Sequence, residues 1–145
     1  MEPFYSKSKD LIPGILLDKE TEKFQIFGIS CPLDPFEFYD PIFKWFDEYI
    51  KDPLKKTVLD LKLTYFNTAS AKFLLRIMTK LNKLAGNDYD VKIRWFYSEG
   101  DNDMKEEGQE FKNIFNLNFE LISLKNEADE IDDTEDFDRF MDDIL

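Results

Sequence analysis

The segment over residues 56–65 constrains the fold more than any other part of the chain. Its apolar and polar side chains alternate strictly, which is typical of a β-strand with one buried face. One face would carry Leu59, Leu61, Leu63 and Tyr65, and the other Asp60, Lys62 and Thr64. Strands covered by helices on both faces read instead as continuous apolar runs. The alternation therefore predicts a sheet with one face in the core and the other facing solvent.

Strand and helix patterns alternate along the rest of the chain and predict an α/β fold. Strands are expected at 11–17 (an irregular edge strand), 23–29, 56–65, 90–97 and 117–121, the first two joined as a hairpin by Asp18-Lys19-Glu20-Thr21. The first helix would start after Asp40-Pro41 or one turn or so earlier, after Asp34-Pro35. Two further helices follow the third and fourth strands. Because strands separated by helices pair in parallel through right-handed crossovers, we expect a STAS-like single domain. It would have a mixed sheet of about five strands with helices mainly on one face.

Acidic residues are concentrated at the C-terminal end. Residues 123–145 hold ten Asp and Glu against Lys125 and Arg139, a net charge of −8, which leaves −4 of the total of −12 for the rest. We predict a regulatory domain over 1–122 and an acidic amphipathic tail over 123–145. Two interpretations of the tail stay open, a disordered solubilising segment and a short helix that docks on its own domain or on a partner. The apolar face of such a helix would carry Phe137, Phe140, Met141 and Ile144.

Charge and residue types exclude several classes of function. A net charge of −12 repels nucleic acid and anionic membranes, so neither is expected as a partner. The chain has no His and only Cys31, which removes Ser-His-Asp and Cys-His catalysis and thiolate metal clusters. We therefore expect neither enzymatic activity nor a cofactor. The segment Met1-Glu2-Pro3-Phe4 lacks the features of a signal peptide, and the apolar stretches are short, so we predict a cytoplasmic protein.

The acidic loop over residues 99–103 is a candidate cation site. Asp101 and Asp103 have the spacing of the first two EF-hand ligands, but Lys105 occupies the third ligand position and Glu106 the position of the required glycine. We favour an acidic helix start without a metal. Metal-assisted hydrolysis by these carboxylates is the alternative.

The turn between the clearest strand and the next helix holds two hydroxyl groups, those of Thr68 and Ser70. Either hydroxyl would cap the helix by accepting a bond from a backbone N–H, worth about 1 kcal/mol. Either would also serve as a phosphoacceptor, since a helix N-terminus tolerates a dianion. The pattern by itself favours the cap.

Several segments resemble, in order, the signature of the SiaC family of regulatory phosphoproteins. They are Phe27-Gly28-Ile29-Ser30 with Pro32, Glu37-Phe38-Tyr39-Asp40-Pro41, Trp45-Phe46-Asp47-Glu48-Tyr49, Leu63-Thr64-Tyr65-Phe66-Asn67-Thr68, and Trp95-Phe96-Tyr97 with Met104, Gly108 and Phe111. The resemblance covers about residues 12–122. The chain departs from the family at Ala69, where a second Ser or Thr is common, and at Cys31 and Leu33-Asp34.

The resemblance implies a threonine switch in a bacterial partner-switching pathway. Thr68 is the matching position, phosphorylated by a dedicated kinase and dephosphorylated by a phosphatase. The unphosphorylated form in the family binds and activates a diguanylate cyclase, and so feeds cyclic-di-GMP signalling and biofilm formation. A constitutive acidic interaction domain without a phospho-switch is the alternative. The residues expected to contact a partner are Tyr65, Asn67, Ala69, Ser70 and Asp34.

Overall fold

A six-stranded mixed sheet and three helices make up the computed structural model, which describes residues 1–125. The strands are β1 (Phe4–Ser6), β2 (Gly14–Asp18), β3 (Lys23–Ser30), β4 (Lys56–Phe66), β5 (Asp90–Ser98) and β6 (Asn118–Leu124), and the helices are α1 (Pro35–Tyr49), α2 (Thr68–Ala85) and α3 (Asn102–Ile114). Strand order follows the chain. The pairs among β1, β2 and β3 are antiparallel, and those from β3 to β6 are parallel. The predicted α/β domain with a mixed sheet is confirmed.

The sheet has one strand more than the five predicted. β1 pairs antiparallel with β2, with Phe4 opposite Leu17. The first predicted strand, at 11–17, corresponds to β2, and the prediction that it is an edge strand is therefore wrong. A strand of three residues is too short for its side chains to show alternation, and it forms because β2 offers an otherwise open row of backbone groups.

All three helices pack on the same face of the sheet, as predicted. When parallel strands are joined in sequential order by right-handed crossovers, every helix falls on the same side. Leu59, Leu61 and Leu63 of β4 point into one core together with side chains from all three helices. The members from the helices include Tyr39, Trp45, Phe46 and Tyr49 of α1, Leu74, Met78 and Leu81 of α2, and Met104 and Phe111 of α3.

We call the sheet face opposite the helices the outer face. Its polar side chains were predicted, and the structure adds their pairing. The Asp60 carboxylate accepts two bonds of 2.6 Å from the Arg94 guanidinium. The Lys92 ammonium lies 2.9 Å from the Glu120 carboxylate. The outer face is not polar throughout, because Leu16 and Phe27 form a second apolar cluster with Tyr5.

Aspartate side chains mark the start of two helices. Asp34 caps α1 by accepting a bond of 3.0 Å from the Glu37 N–H, so the earlier of the two predicted starts is the one formed. Pro41 lies inside α1, which places the later start within the helix. Asp101 caps α3 by accepting a bond of 3.1 Å from the Met104 N–H. The acidic helix start predicted at this loop is confirmed.

The end of the described region bears on the predicted domain boundary and on the predicted tail. β6 runs to Leu124 and so continues past the predicted domain boundary at 122. Residues 126–145 of the predicted tail lie outside the described residues.

Within residues 1–125, no three His, Cys, Asp or Glu side chains are grouped as they would be to hold a metal ion. No helix in that part of the chain is long and apolar enough to cross a membrane.

Candidate functional site

Asn67 holds the turn between β4 and α2. Its side-chain Oδ1 accepts a bond of 2.9 Å from the Ser70 N–H, and its own N–H donates to the Ser30 carbonyl oxygen at 3.2 Å. Asn67 is therefore the N-cap and Thr68 is the first helical residue. The expectation that the Thr68 or Ser70 hydroxyl caps the helix is wrong. Both hydroxyls lie inside the helix, after the N-cap position from which a side chain reaches forward to the free N–H groups.

A buried chain of hydroxyls ties α2 to β3. The Ser70 hydroxyl donates to the Ser30 carbonyl oxygen at 2.8 Å and accepts from the Ser30 Oγ at 2.8 Å. The Tyr39 Oη lies 2.6 Å from the same Ser30 Oγ. Because the single Ser30 hydroxyl proton goes to Ser70, Tyr39 is the donor in that bond. Burial, the largest effect, raises the pKa of Tyr39 to about 12, so this donor keeps its proton at neutral pH.

Thr68 differs from Ser70 in being exposed. Among residues 1–125, no hydrogen bond that holds the turn uses the Thr68 hydroxyl. Ser70 is 0% exposed. Of the two hydroxyl residues at this turn, Thr68 is therefore the one at the surface, where another protein can reach it.

The other residues expected to contact a partner divide in the same way. Tyr65 is 55% exposed at the end of β4, Asp34 is exposed, and Asn67 and Ala69 are half-buried. The structure places the Ser70 side chain inside the protein, where it contacts Ser30 rather than the surface. We therefore remove Ser70 from the expected contact surface, because its hydroxyl is held in the network that positions α2.

Asp34 and Thr68 lie at the same edge of the sheet. β3 and β4 run parallel, with Ser30 paired to Phe66 at their carboxyl ends. The loop after β3 leads to Asp34, and it is anchored by a bond of 2.8 Å from the Cys31 N–H to the Leu11 carbonyl oxygen. The carboxyl edge of parallel strands is the usual place for binding sites in open α/β sheets.

An apolar groove beside Asp34 was not predicted. Its volume is about 640 Å³. Leu33, which lines the groove, is 99% exposed, and Phe36 is 61% exposed. The sequence signal was two large apolar residues on either side of Asp34-Pro35, at the start of a helix. The groove is lined by Leu11, Ile12, Pro32, Leu33 and Phe38, with Lys9, Asp10, Asp34 and Glu37.

An acidic groove lies on the other side of the turn. It has a volume of about 380 Å³ and is lined by Thr64, Tyr65 and Phe66 of β4 and by Asp101, Asp103, Met104, Glu106, Glu107 and Glu110 of α3 and its cap. Burial, followed by the charges of Glu110, Asp103 and Glu106, raises the pKa of Glu107. Because β4 lies between β3 and β5, the Thr68 turn separates the acidic groove from the apolar groove.

The chain matches known proteins over nearly all of its described length. The model of the SiaC family of regulatory phosphoproteins matches residues 6–124. An uncharacterized protein of Pseudomonas aeruginosa strain UCBPP-PA14 is 27% identical over 100 residues, which are 69% of this chain and 79% of that protein.

Two solved structures show the same fold. SiaC of Pseudomonas aeruginosa superposes with a TM-score of 0.79 at 23% identity, over 86% of this chain and all of that one. The same TM-score and identity hold for the structure of the Pseudomonas aeruginosa diguanylate cyclase SiaD in complex with its activator SiaC, over 83% of this chain and 99% of that one. The family match, which extends from β1 to the last residue of β6, shows that this chain belongs to the SiaC family of regulatory phosphoproteins.

Proposed function

We propose that this chain is a phosphorylation-controlled adaptor that binds and activates a diguanylate cyclase while Thr68 is unphosphorylated. A dedicated kinase phosphorylates Thr68 and a phosphatase restores the hydroxyl, so the pathway controls cyclic-di-GMP. The observation that carries the proposal is the contrast at one helix start, where Thr68 is exposed and Ser70 is buried. The related SiaC in complex with the cyclase SiaD, as its activator, supports the choice of partner.

The two grooves beside Thr68 explain how a phosphoryl group would act. Phosphorylation adds a charge of about −1.5 to −2 at neutral pH. The acidic groove beside the turn repels that charge. A partner that covers the apolar groove would also have to remove water from the phosphoryl group, which is unfavourable. Phosphorylation therefore opposes docking at this edge of the sheet. The N-terminus of α2 tolerates the dianion, so the domain itself stays folded.

The exposed side chains at this edge indicate the chemistry of the partner. Leu33, Phe36 and Tyr65 are large apolar side chains that are more than half exposed. A partner surface with an apolar centre would bury them, and basic residues at its rim would complement the acidic groove. Such a surface would be specific for the form of this edge that lacks the phosphoryl group.

A pull-down with the cognate cyclase tests the switch. We expect the wild-type chain and Thr68→Ala to bind equally, and Thr68→Glu to bind about tenfold or more weakly because a charge enters the interface. Thr79→Glu is the matched control, since Thr79 is an exposed threonine about three turns further along α2. Binding by Thr68→Glu at the wild-type level would instead indicate a constitutive acidic interaction domain.

Mass spectrometry tests the site of modification. We expect protein isolated from its native cell to carry phosphate on Thr68, and the cognate kinase to leave Thr68→Ala unmodified. Stoichiometric phosphorylation of Thr68→Ala would refute the assignment of the site. Phosphate on Ser70 would refute it too, since that hydroxyl is buried in the folded domain.

A further inference from the structure

The outer face of the sheet has the composition of a docking surface. Lys62, Lys92 and Arg94 lie on it, against Asp60 and Glu120, so this strip has one positive charge in excess on a body whose net charge is −4. The Lys62 ammonium and the Arg94 guanidinium lie 4.6 Å and 5.3 Å from the centre of the Phe96 ring. Apolar side chains border the strip. On one side the half-buried Tyr5 packs on the buried Leu16 and Phe27, and on the other lies the half-buried Ile122 of β6.

The chain contains a segment of complementary composition that a solved relative lacks. SiaC of Pseudomonas aeruginosa is covered completely by 86% of this chain, and the family match ends at residue 124. Residues 126–145 follow. They hold ten Asp and Glu against Arg139, a net charge of −9. Their apolar residues include four at helical spacing, which are Phe137, Phe140, Met141 and Ile144.

We propose that residues 126–145 dock on the outer face of their own domain, with the apolar side chains beside Tyr5 and Ile122 and the carboxylates over Lys62, Lys92 and Arg94. The inference is independent of the phospho-switch, because it concerns the face opposite the helices. The three described helices pack on the opposite face of the sheet, and the proposal identifies what docks on the outer face.

The length of the segment and its starting point permit this docking. β6 is the last strand of the sheet and ends at Leu124, so the segment begins at an edge of the sheet, from which the outer face can be reached. Strands lie about 4.8 Å apart, so six strands span about 24 Å. A helix of twenty residues would be about 30 Å long, and an extended linker reaches further. The segment is therefore long enough to cross from β6 to Leu16 on β2.

Charge excludes the two grooves as the docking site. The apolar groove is lined by Asp10, Asp34 and Glu37 against Lys9, and the acidic groove by five carboxylates. A segment with a net charge of −9 is repelled by both grooves and attracted by the basic strip of the outer face. Docking on the outer face leaves the Thr68 edge open to a partner.

Paramagnetic relaxation in the full-length protein tests the proposal. A spin label is placed in the tail as Asp143→Cys in a Cys31→Ser background, and methyl signals are read across the domain. We expect broadening at Leu16 and Ile122 on the outer face, and none at Leu33 in the apolar groove. Broadening at Leu33, or at no methyl group, would overturn the proposal.

Matched variants and a mixed sample complete the test. Phe140→Asp places a charge on the apolar side of the tail, and Lys62→Glu reverses a charge on the outer face. Each should reduce the broadening about twofold or more, and Lys112→Glu in the last turn of α3 should not. In a mixture of spin-labelled and isotope-labelled chains, docking within one chain gives no broadening. Broadening in the mixture would show docking on a second copy and would contradict the proposal.

Discussion

The Ser70 hydroxyl donates a hydrogen bond of 2.8 Å to the backbone carbonyl oxygen of Ser30, and this bond joins the first turn of α2 to the last residue of β3. Both residues are fully buried. The Ser30 carbonyl oxygen also accepts the Asn67 N–H, so the turn that presents Thr68 is fixed to the neighbouring strand at two points. The exposed hydroxyl is thereby held in position by the buried one.

Removing the Ser70 hydroxyl should destabilise the domain. In Ser70→Ala, the buried Ser30 hydroxyl loses its acceptor, and we expect the free energy of unfolding to fall by about 1–3 kcal/mol. Thr68→Ala is the control, and its exposed position predicts a change within about 0.5 kcal/mol. Urea denaturation followed by tryptophan fluorescence measures both. Equal stabilities of the two variants would show that the hydroxyl network does not support the turn.

A negative charge at Thr68 should not destabilise the fold. A carboxylate in the first turn of a helix interacts favourably with the helix dipole, so we expect Thr68→Glu to be as stable as wild type or more stable by about 0.3–1 kcal/mol. Thermal unfolding at low salt measures the difference. A melting temperature well below that of wild type would mean that lost partner binding in Thr68→Glu reports unfolding rather than charge in the interface.

Replacing the cap residue should weaken the start of α2. Asn67→Ala removes the oxygen that accepts the Ser70 N–H, and we expect a loss of about 1 kcal/mol. Asn67→Asp keeps an acceptor at the same position and should retain most of the stability. Chemical denaturation of the two variants provides the comparison, and a fully stable Asn67→Ala would refute the role of this side chain as the cap.

Stability should decline in alkaline solution because of Tyr39. Its pKa is raised from 10.0 to about 12 in the folded protein, so between these values the folded state holds a proton that the unfolded state has lost. The contribution is complete below pH 10 and disappears as the pH approaches 12, by about 2–3 kcal/mol. Tyr39→Phe lacks this dependence. The advantage of wild type over Tyr39→Phe should therefore shrink over this range, and a constant difference would contradict the assignment.

A methyl group at Gly108 should not be accommodated. A Cβ atom there would overlap the indole ring of Trp95 and lie 2.8 Å from the Leu121 side chain. The indole is held in place by a bond of 3.0 Å from its N–H to the Met104 carbonyl oxygen. We expect Gly108→Ala to lower the free energy of unfolding by about 1–3 kcal/mol. Gly86→Ala, with no atom nearer than 3.8 Å, should be close to neutral in the same denaturation experiment.

Periodicity in the sequence determined the one-sided sheet. The alternation of Leu59, Leu61 and Leu63 with polar residues requires one buried and one polar face whatever the partners of the strand are, and the structure has that arrangement. The acidic start of α3 was likewise local information, since an aspartate cap needs only the first turn of its own helix. Such features are predictable because neighbours in sequence create them.

The residue pattern left Thr68 and Ser70 equivalent and the family resemblance pointed to Thr68, but the physical difference between them was decided by the tertiary structure. The two hydroxyls lie two positions apart in the same turn, and the sequence offers each of them as a cap. Ser70 is buried because Ser30 and Tyr39, from two other elements, supply its hydrogen-bond partners. β1 and the apolar groove also depend on segments that are distant in sequence. The sequence established a strand-to-helix turn bearing hydroxyls, whereas packing against β3 and α1 determined which hydroxyl another protein can reach.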